Sequence, residues 1–462
     1  MTERPAPAKA PVRAALMVAS RQGTRAAKTA AGAFIGGAKG RLLPASIPLR
    51  HFGAAVVFHL LAWLALAVGA ANGTDFGAGL GWPLAAVHLI TLGVLGMSVL
   101  GAGAQLLPVA SRQAATGAYL LAAIWWLYMP GVAVLALGMG LARPAWLAAG
   151  AAACTLALLL WGLLTARNLF GARGMPGVVA HGWAALAALL VMLAAALALV
   201  SVWLGWPAAP ARDTVLALHR VMAPYGFIGL FSLGLSYVLV PMFVLADSPD
   251  DRYQLASLVL LVLALASAAL AALGLAPAAL MALGLLAGSI AVALHLWLMV
   301  RTLRQGMRRF AGPAGTLVRL GWGGLVASLV LGWVLLLQWP LPDAGLWFGL
   351  CVVGVWQMSF LLGILQRIAP FLAAMHALPG RRAPTPSALS HDGALQLHRI
   401  CHIGALVLLA GAIATSNHAV MFAAACVGTV GALAFCTFFG VLLWRLRRPA
   451  AASSSASHAG IR

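Results

Sequence analysis

Apolar runs of about twenty residues or more, separated by short polar stretches, follow one another along the chain. A helix needs roughly 20 apolar residues to cross the hydrocarbon of a bilayer, and hydropathy identifies such segments well. Twelve runs qualify, near residues 52–71, 83–107, 118–141, 145–166, 178–205, 215–245, 255–275, 277–300, 317–339, 344–370, 398–416 and 419–444. The fifth and sixth exceed what a bilayer requires, which predicts tilt or extension beyond it. Linkers are short, so successive helices are expected to be antiparallel neighbours. The longest linkers are ADSPDDRYQ, RTLRQGMRRFAGPAG and HALPGRRAPTPSALSHDGA, rich in Pro, Gly, Ser and charge. The pattern predicts an all-α polytopic membrane protein. Its twelve-helix domain covers residues 50–445, between a basic tail (1–49) and a second tail (446–462), both read as disordered.

Three of these runs share a template. HLITLGVLGMSVLGAGAQLLP (His88 to Pro108) and VMAPYGFIGLFSLGLSYVLVP (Val221 to Pro241) both carry Gly at +5, +8 and +13 and Pro at +20. LCVVGVWQMSFLLGILQRIAP (Leu350 to Pro370) keeps the +13 glycine, Gly363, and the proline. The prolines lie 133 and 129 residues apart. Such a period implies one four-helix unit used three times, over about residues 50–170, 175–305 and 315–445. The glycines would let neighbouring helices approach closely. Each proline is expected to close its helix, where no interior hydrogen bond is lost.

Composition sharpens this picture. The chain is 63% apolar and 8% charged, whereas a soluble domain carries roughly 25% charged residues. The net charge of +21 raises the question of nucleic acid, but its distribution answers otherwise. Of 29 Lys and Arg, only Arg143, Arg212 and Arg220 fall on one side of a twelve-helix topology, leaving 26 on the other. The positive-inside rule then predicts that both termini are cytoplasmic, in a bacterial-type inner membrane. The N-terminal MTERPAPAKAPVRAALMVASRQGTRAAKTA lacks the apolar core of a secretory signal and reads as a lipid-touching topogenic tail. Cys154, Cys351, Cys401, Cys426 and Cys436 form no CxxC pair and read as apolar residues. No phosphate loop, dinucleotide fingerprint, nucleophile elbow, HExxH or CxxCH is present.

The eight acidic residues (Glu3, Asp75, Asp213, Asp247, Asp250, Asp251, Asp343 and Asp392) all fall in loops or tails. Ion-coupled transporters and proton pumps usually need a carboxylate near the midplane, so this placement counts against both classes. Histidine, with twelve copies, is the remaining chemical signal. His88 and His219 open helices 2 and 6 on the outer side, two residues apart in the repeat alignment. The imidazoles should therefore differ in depth by about 3 Å. Two neutral imidazoles at one depth suit a haem iron, and Arg220 suits a haem propionate. The competing reading is that each hydrogen-bonds at the interface and binds nothing. On the inner side, His398 and His402 stand i, i+4 on one helix face, a workable metal-ligand pair. His51 and His181 open helices 1 and 5, with Arg319 at a similar place in the third unit. His376 reads as interfacial, and His59 and His295 as satisfied core histidines. The tryptophans mostly mark an interfacial belt, and Met97, Met222, Met242 and Met358 read as packing.

Twelve helices, a cytoplasmic N-terminus and a threefold four-helix repeat resemble the haem–copper oxidase superfamily. VHLITLGVLGMSVLGAGAQLLP is similar to helix 2 of the nitric oxide reductase large subunit, whose His ligates the low-spin haem. LHRVMAPYGFIGLFSLGLSYVLVPMF is similar to that family's haem-ligand helix of the form HxHxxxxGxxG, with His219 at the first His and Val221 at the second. NnrS-type haem and copper membrane proteins, linked to nitric oxide stress, are a related possibility. The resemblance implies a b-type haem at His88 and His219, with Arg220 beside it. It also implies a respiratory, electron-transfer or nitric-oxide-related role, with a cytochrome or other respiratory subunit as partner. Copper is a secondary expectation, at His398 and His402. The chain departs from the family in four ways. Helix 10 has no membrane His, helix 6 lacks HxxxY or HPExY, helix 7 has no His–His pair, and the membrane Glu residues of nitric oxide reductases are missing. No catalytic residue is therefore assigned. The alternatives are a non-redox transport protein or a copper- or haem-handling protein that keeps the fold, and a transporter unrelated to oxidases.

Overall fold

The computed structural model describes residues 41–73, 76, 79–207, 210–376 and 384–447. Among these residues there is no strand. Twelve helices are long and apolar enough to cross a membrane, and the chain is a multi-pass all-α membrane protein. They are α1 (Ser46–Ala71), α2 (Trp82–Ala110), α3 (Ala118–Gly140), α4 (Pro144–Phe170), α5 (Pro176–Trp203) and α6 (Arg212–Val244). The second half contributes α7 (Asp251–Ala272), α8 (Pro277–Gln305), α9 (Gly312–Leu336), α10 (Ala344–Met375), α11 (Asp392–Thr415) and α12 (His418–Arg447). A one-turn helix, Pro386–Leu389, precedes α11.

Helices are the expected solution, because lipid offers no partner for backbone N–H and C=O groups. Local chemistry sets several starts. Proline opens α4, α5 and α8, where its missing N–H costs nothing. Asp250 caps α7 by accepting from the Arg252 amide at 2.9 Å.

Two expectations about helix limits need correction. Helix α1 begins at Ser46, inside the segment read as tail, and Leu43 before it is buried. The carbonyl of Leu43 accepts from His376 Nε2 at 2.8 Å, which ties this segment to the end of α10. The rest of the expected tails, 1–40 and 448–462 with His458, lies outside the described residues, as does Asp75. The three template prolines do not close their helices. Pro108, Pro241 and Pro370 lie inside helices that run on to Ala110, Val244 and Met375. A protein interior tolerates this because neighbouring groups re-satisfy the freed carbonyls.

The same pairings recur in each third of the chain. The first helix packs on the second (α1 on α2, α5 on α6, α9 on α10), and the third and fourth form a hairpin (α3–α4, α7–α8, α11–α12). Helix α12 packs on α1 and closes the perimeter. Helices α2, α6 and α10 fill the middle. In their apolar windows 67%, 89% and 67% of residues are buried, against 28–44% for all the others except α1 at 61%.

Each central helix also contains one π-helical segment: Leu89–Gly96, Met222–Gly229 and Leu350–Met358. Each segment ends twelve residues before its helix's proline. π-segments concentrate at functional sites. The +13 glycines receive side chains from the neighbouring first helix. His51 Cβ lies 2.7 Å from where a Gly101 Cβ would stand, and His181 Cβ lies 2.6 Å from the corresponding point at Gly234. At Gly363 the side chain met is that of Val318, while Arg319, at a similar place to His51 and His181 in the third unit, donates to the Phe310 carbonyl at 2.9 Å.

Candidate functional site

His88 ends the first, α-helical stretch of α2, immediately before the π-segment. His219 occupies the corresponding part of α6, three residues before its π-segment. The fold brings the two side chains together across the gap between these helices. Their ring centroids are 6.4 Å apart and their planes differ by 13°. His88 Nδ1 lies 3.0 Å from the Leu84 carbonyl. A carbonyl can only accept, so Nδ1 carries the proton and Nε2 keeps its lone pair. Orientation of one imidazole nitrogen by a backbone carbonyl is the usual support for a metal-ligating histidine. On His219, Nδ1 is buried and has no partner.

The separation has a chemical meaning. Two metal–nitrogen bonds of about 2.0–2.1 Å leave about 1.1 Å from each nitrogen to its ring centre when the centres are 6.4 Å apart, which is the size of an imidazole. The spacing of the ring centres therefore equals that of two imidazoles collinear with one shared metal ion. Arg220 follows His219 in the chain and is exposed.

A second group of histidines gathers between the middle of α1 and the first half of α11. His398 and His402 sit on one face of α11, with ring centroids 5.7 Å apart. His59 of α1 joins them, 5.5 Å from His398 and nearly perpendicular to it. All three are wholly buried, and Phe435 of α12 lies 4.7 Å from His398. Each ring has one nitrogen engaged and one without a partner. His398 Nδ1 donates to the Gly431 carbonyl at 3.1 Å, and His59 Nε2 accepts from Trp63 Nε1 at 3.1 Å. His402 Nε2 lies 2.8 Å from Ser359 Oγ, whose own hydrogen goes to the Gly354 carbonyl in the α10 π-segment at 3.1 Å. His398 Nε2, His402 Nδ1 and His59 Nδ1 are left unpartnered.

His59 thus departs from the satisfied core histidine expected of it, and so does His295. His295 Nδ1 meets the Tyr237 hydroxyl at 3.0 Å, but Nε2 has no partner. His181 stands on the other side of Tyr237, with ring centroids 5.5 Å apart. Its Nδ1 donates to the Gly177 carbonyl at 2.8 Å, while Nε2 is unpartnered. His51 repeats this arrangement with the Ile47 carbonyl. Buried polar groups are normally paired, so this concentration of orphaned imidazole nitrogens on α1, α5, α8 and α11 is unusual.

The cysteines behave as apolar residues and form no disulfide among the described residues. Also among these residues, no group of three or more His, Cys, Asp or Glu is arranged to hold a metal ion. Sequence reasoning singled out His88, His219, His398 and His402 but missed His59, Ser359 and Tyr237. Nothing in the local pattern around His59 marks it, since the histidines it joins lie more than 330 residues away.

No protein-family model matches the chain, and no curated protein matches it in sequence.

Proposed function

We propose that this is a haem-binding membrane protein with a respiratory, electron-transfer or nitric-oxide-related role, built on an oxidase-like three-unit frame. The observation that carries the reading is the pairing of His88 and His219, two parallel imidazoles spaced for one shared iron. The carbonyl of Leu84 fixes the His88 tautomer that leaves Nε2 free to ligate. His219 Nδ1, buried without a partner, is the nitrogen that would ligate from α6. Arg220, exposed beside His219, would pair with a propionate. A b-type haem held by His88 and His219 would supply one-electron transfer. The three units are supported by the recurring helix pairings and by the equivalent π-segments. The excess of Arg and Lys on the opposite loops supports an orientation with the His88–His219 end outside and both termini in the cytoplasm.

A reduced-minus-oxidised visible spectrum of the purified protein tests this. Soret and α bands are expected in the native chain, lost in His88→Ala and in His219→Ala and retained in His181→Gln. A folded, monodisperse native protein that stays without pigment after incubation with haem sinks the proposal. A second reading, copper or haem handling without electron transfer, is favoured by the separate cluster of His59, His398 and His402. A potentiometric titration of the bound haem separates the two readings.

A further inference from the structure

We infer that His398 Nε2 and His402 Nδ1 form a second, buried site that takes a single cuprous ion. Four observations lead there. First, the tautomers are fixed from outside the site. The Gly431 carbonyl holds the proton of His398 on Nδ1, and Ser359 holds that of His402 on Nε2. Both remaining nitrogens therefore carry lone pairs, and both are buried without a partner. No proton has to leave for a metal to bind. Second, this is the orienting arrangement that metal-ligating imidazoles show, with the other nitrogen donating to a carbonyl or a hydroxyl.

Third, the spacing fits. Bonds of about 2.0 Å to a shared ion place two imidazole centres roughly 6.3 Å apart when collinear and roughly 5.5 Å apart at a 120° angle. The centroids of His398 and His402 are 5.7 Å apart, which corresponds to a bent, low-coordinate site. Fourth, the donor set selects the ion. The Trp63 indole donates to His59 Nε2, so His59 presents an N–H and not a third lone pair. No group of three ligating side chains exists among the described residues, so tetrahedral zinc lacks its ligands. Cuprous ion is a soft monovalent cation that imidazoles suit. The Born cost of burial grows with the square of the charge, so a divalent ion would cost about four times as much with only neutral ligands around it.

The competing occupant is one buried water, accepting from His59 Nδ1–H and donating to the two lone pairs, which would satisfy all three rings. The experiment distinguishes the two. The full-length protein in detergent is loaded anaerobically with Cu(I) in the presence of a competing chelator. Bound copper is then measured by mass spectrometry. One copper per chain is expected, weakened at least tenfold in His398→Gln and in His402→Gln and unchanged in His181→Gln. It is also unchanged in the double variant His88→Ala/His219→Ala, so failure of the haem reading leaves this result standing. X-ray absorption of the copper-loaded native chain reads the ligands without relying on any variant. Nitrogen scatterers with the imidazole multiple-scattering pattern, and no sulfur, are expected. A native chain that retains no copper overturns the proposal in favour of water. Sulfur ligation, or full retention of copper in both α11 variants, overturns it in favour of another site.

Discussion

Ser359→Ala tests the support of the α11 histidines without touching either of them. The hydroxyl accepts from His402 Nε2 at 2.8 Å and donates to the Gly354 carbonyl at 3.1 Å, so one substitution removes both bonds. Interhelical hydrogen bonds in membrane proteins average only about 0.6 kcal/mol by double-mutant cycles, because the unfolded chain in lipid finds other partners. An orphaned buried donor costs more, about 1–3 kcal/mol. The second figure applies here. His402 is 1% exposed, Ser359 is 0% exposed, and the ring's other nitrogen already lacks a partner. A loss of about 1–2 kcal/mol in unfolding free energy is therefore expected, read by denaturation of the detergent-solubilised protein with circular dichroism. Copper affinity supplies an independent readout. Removing a group that orients a ligating histidine typically costs 10–100-fold, so a Cu(I) competition titration should show a loss in that range. Ser359→Thr keeps the hydroxyl and should recover most of both effects. An unchanged stability in Ser359→Ala refutes the assigned hydrogen-bond chain. Equal copper loss in Ser359→Ala and Ser359→Thr refutes the orienting role.

Two further predictions concern packing and topology. A Cβ on Gly324 would stand 2.5 Å from the Trp356 amide nitrogen and 2.6 Å from the Val355 carbonyl carbon, both backbone atoms, so α9 and α10 must separate. Gly324→Ala should therefore destabilise by about 1–3 kcal/mol, while Gly323→Ala, with nothing within 4 Å, should be neutral in the same denaturation assay. Alkaline phosphatase fused after Gly274 should be active and after Gly306 inactive if the basic loops are cytoplasmic. The reverse pattern would invert the proposed orientation.

Helix limits were legible because span length and hydropathy are local properties. The twelve runs read from the sequence match α1–α12 to within a few residues at most ends, and the largest discrepancies are at the starts of α1 and α11. The prolines were legible as a ruler and misleading as stops. Neighbouring helices bury most of the last turns of α2, α6 and α10, and there a continued helix satisfies more backbone groups than a loop. The π-segments were not legible. Their registers depend on packing between helices, which spacing along one helix does not encode. Arg319 illustrates the same limit. Aligned by count, it matched His51 and His181, but the residue that meets Gly363 is Val318, one place earlier.

Hydrophobic patterning alone determined a twelve-span membrane protein, and the charge distribution alone gave it an expected orientation. Chemistry was determined only as an inventory: twelve histidines, with no carboxylate expected within a predicted span. Which histidines meet was decided by tertiary structure. His88 and His219 are separated by 131 residues, and His59 and His398 by 339, yet both pairs stand within 6.4 Å between ring centres. The tautomers were decided there too, because Leu84, Gly431, Ser359 and Trp63 each assign a proton to one ring nitrogen. The physical reason is range. Hydropathy sums over twenty neighbouring residues, whereas a ligand site needs lone pairs from distant helices aligned within an ångström or so, and only the packing of those helices sets that geometry.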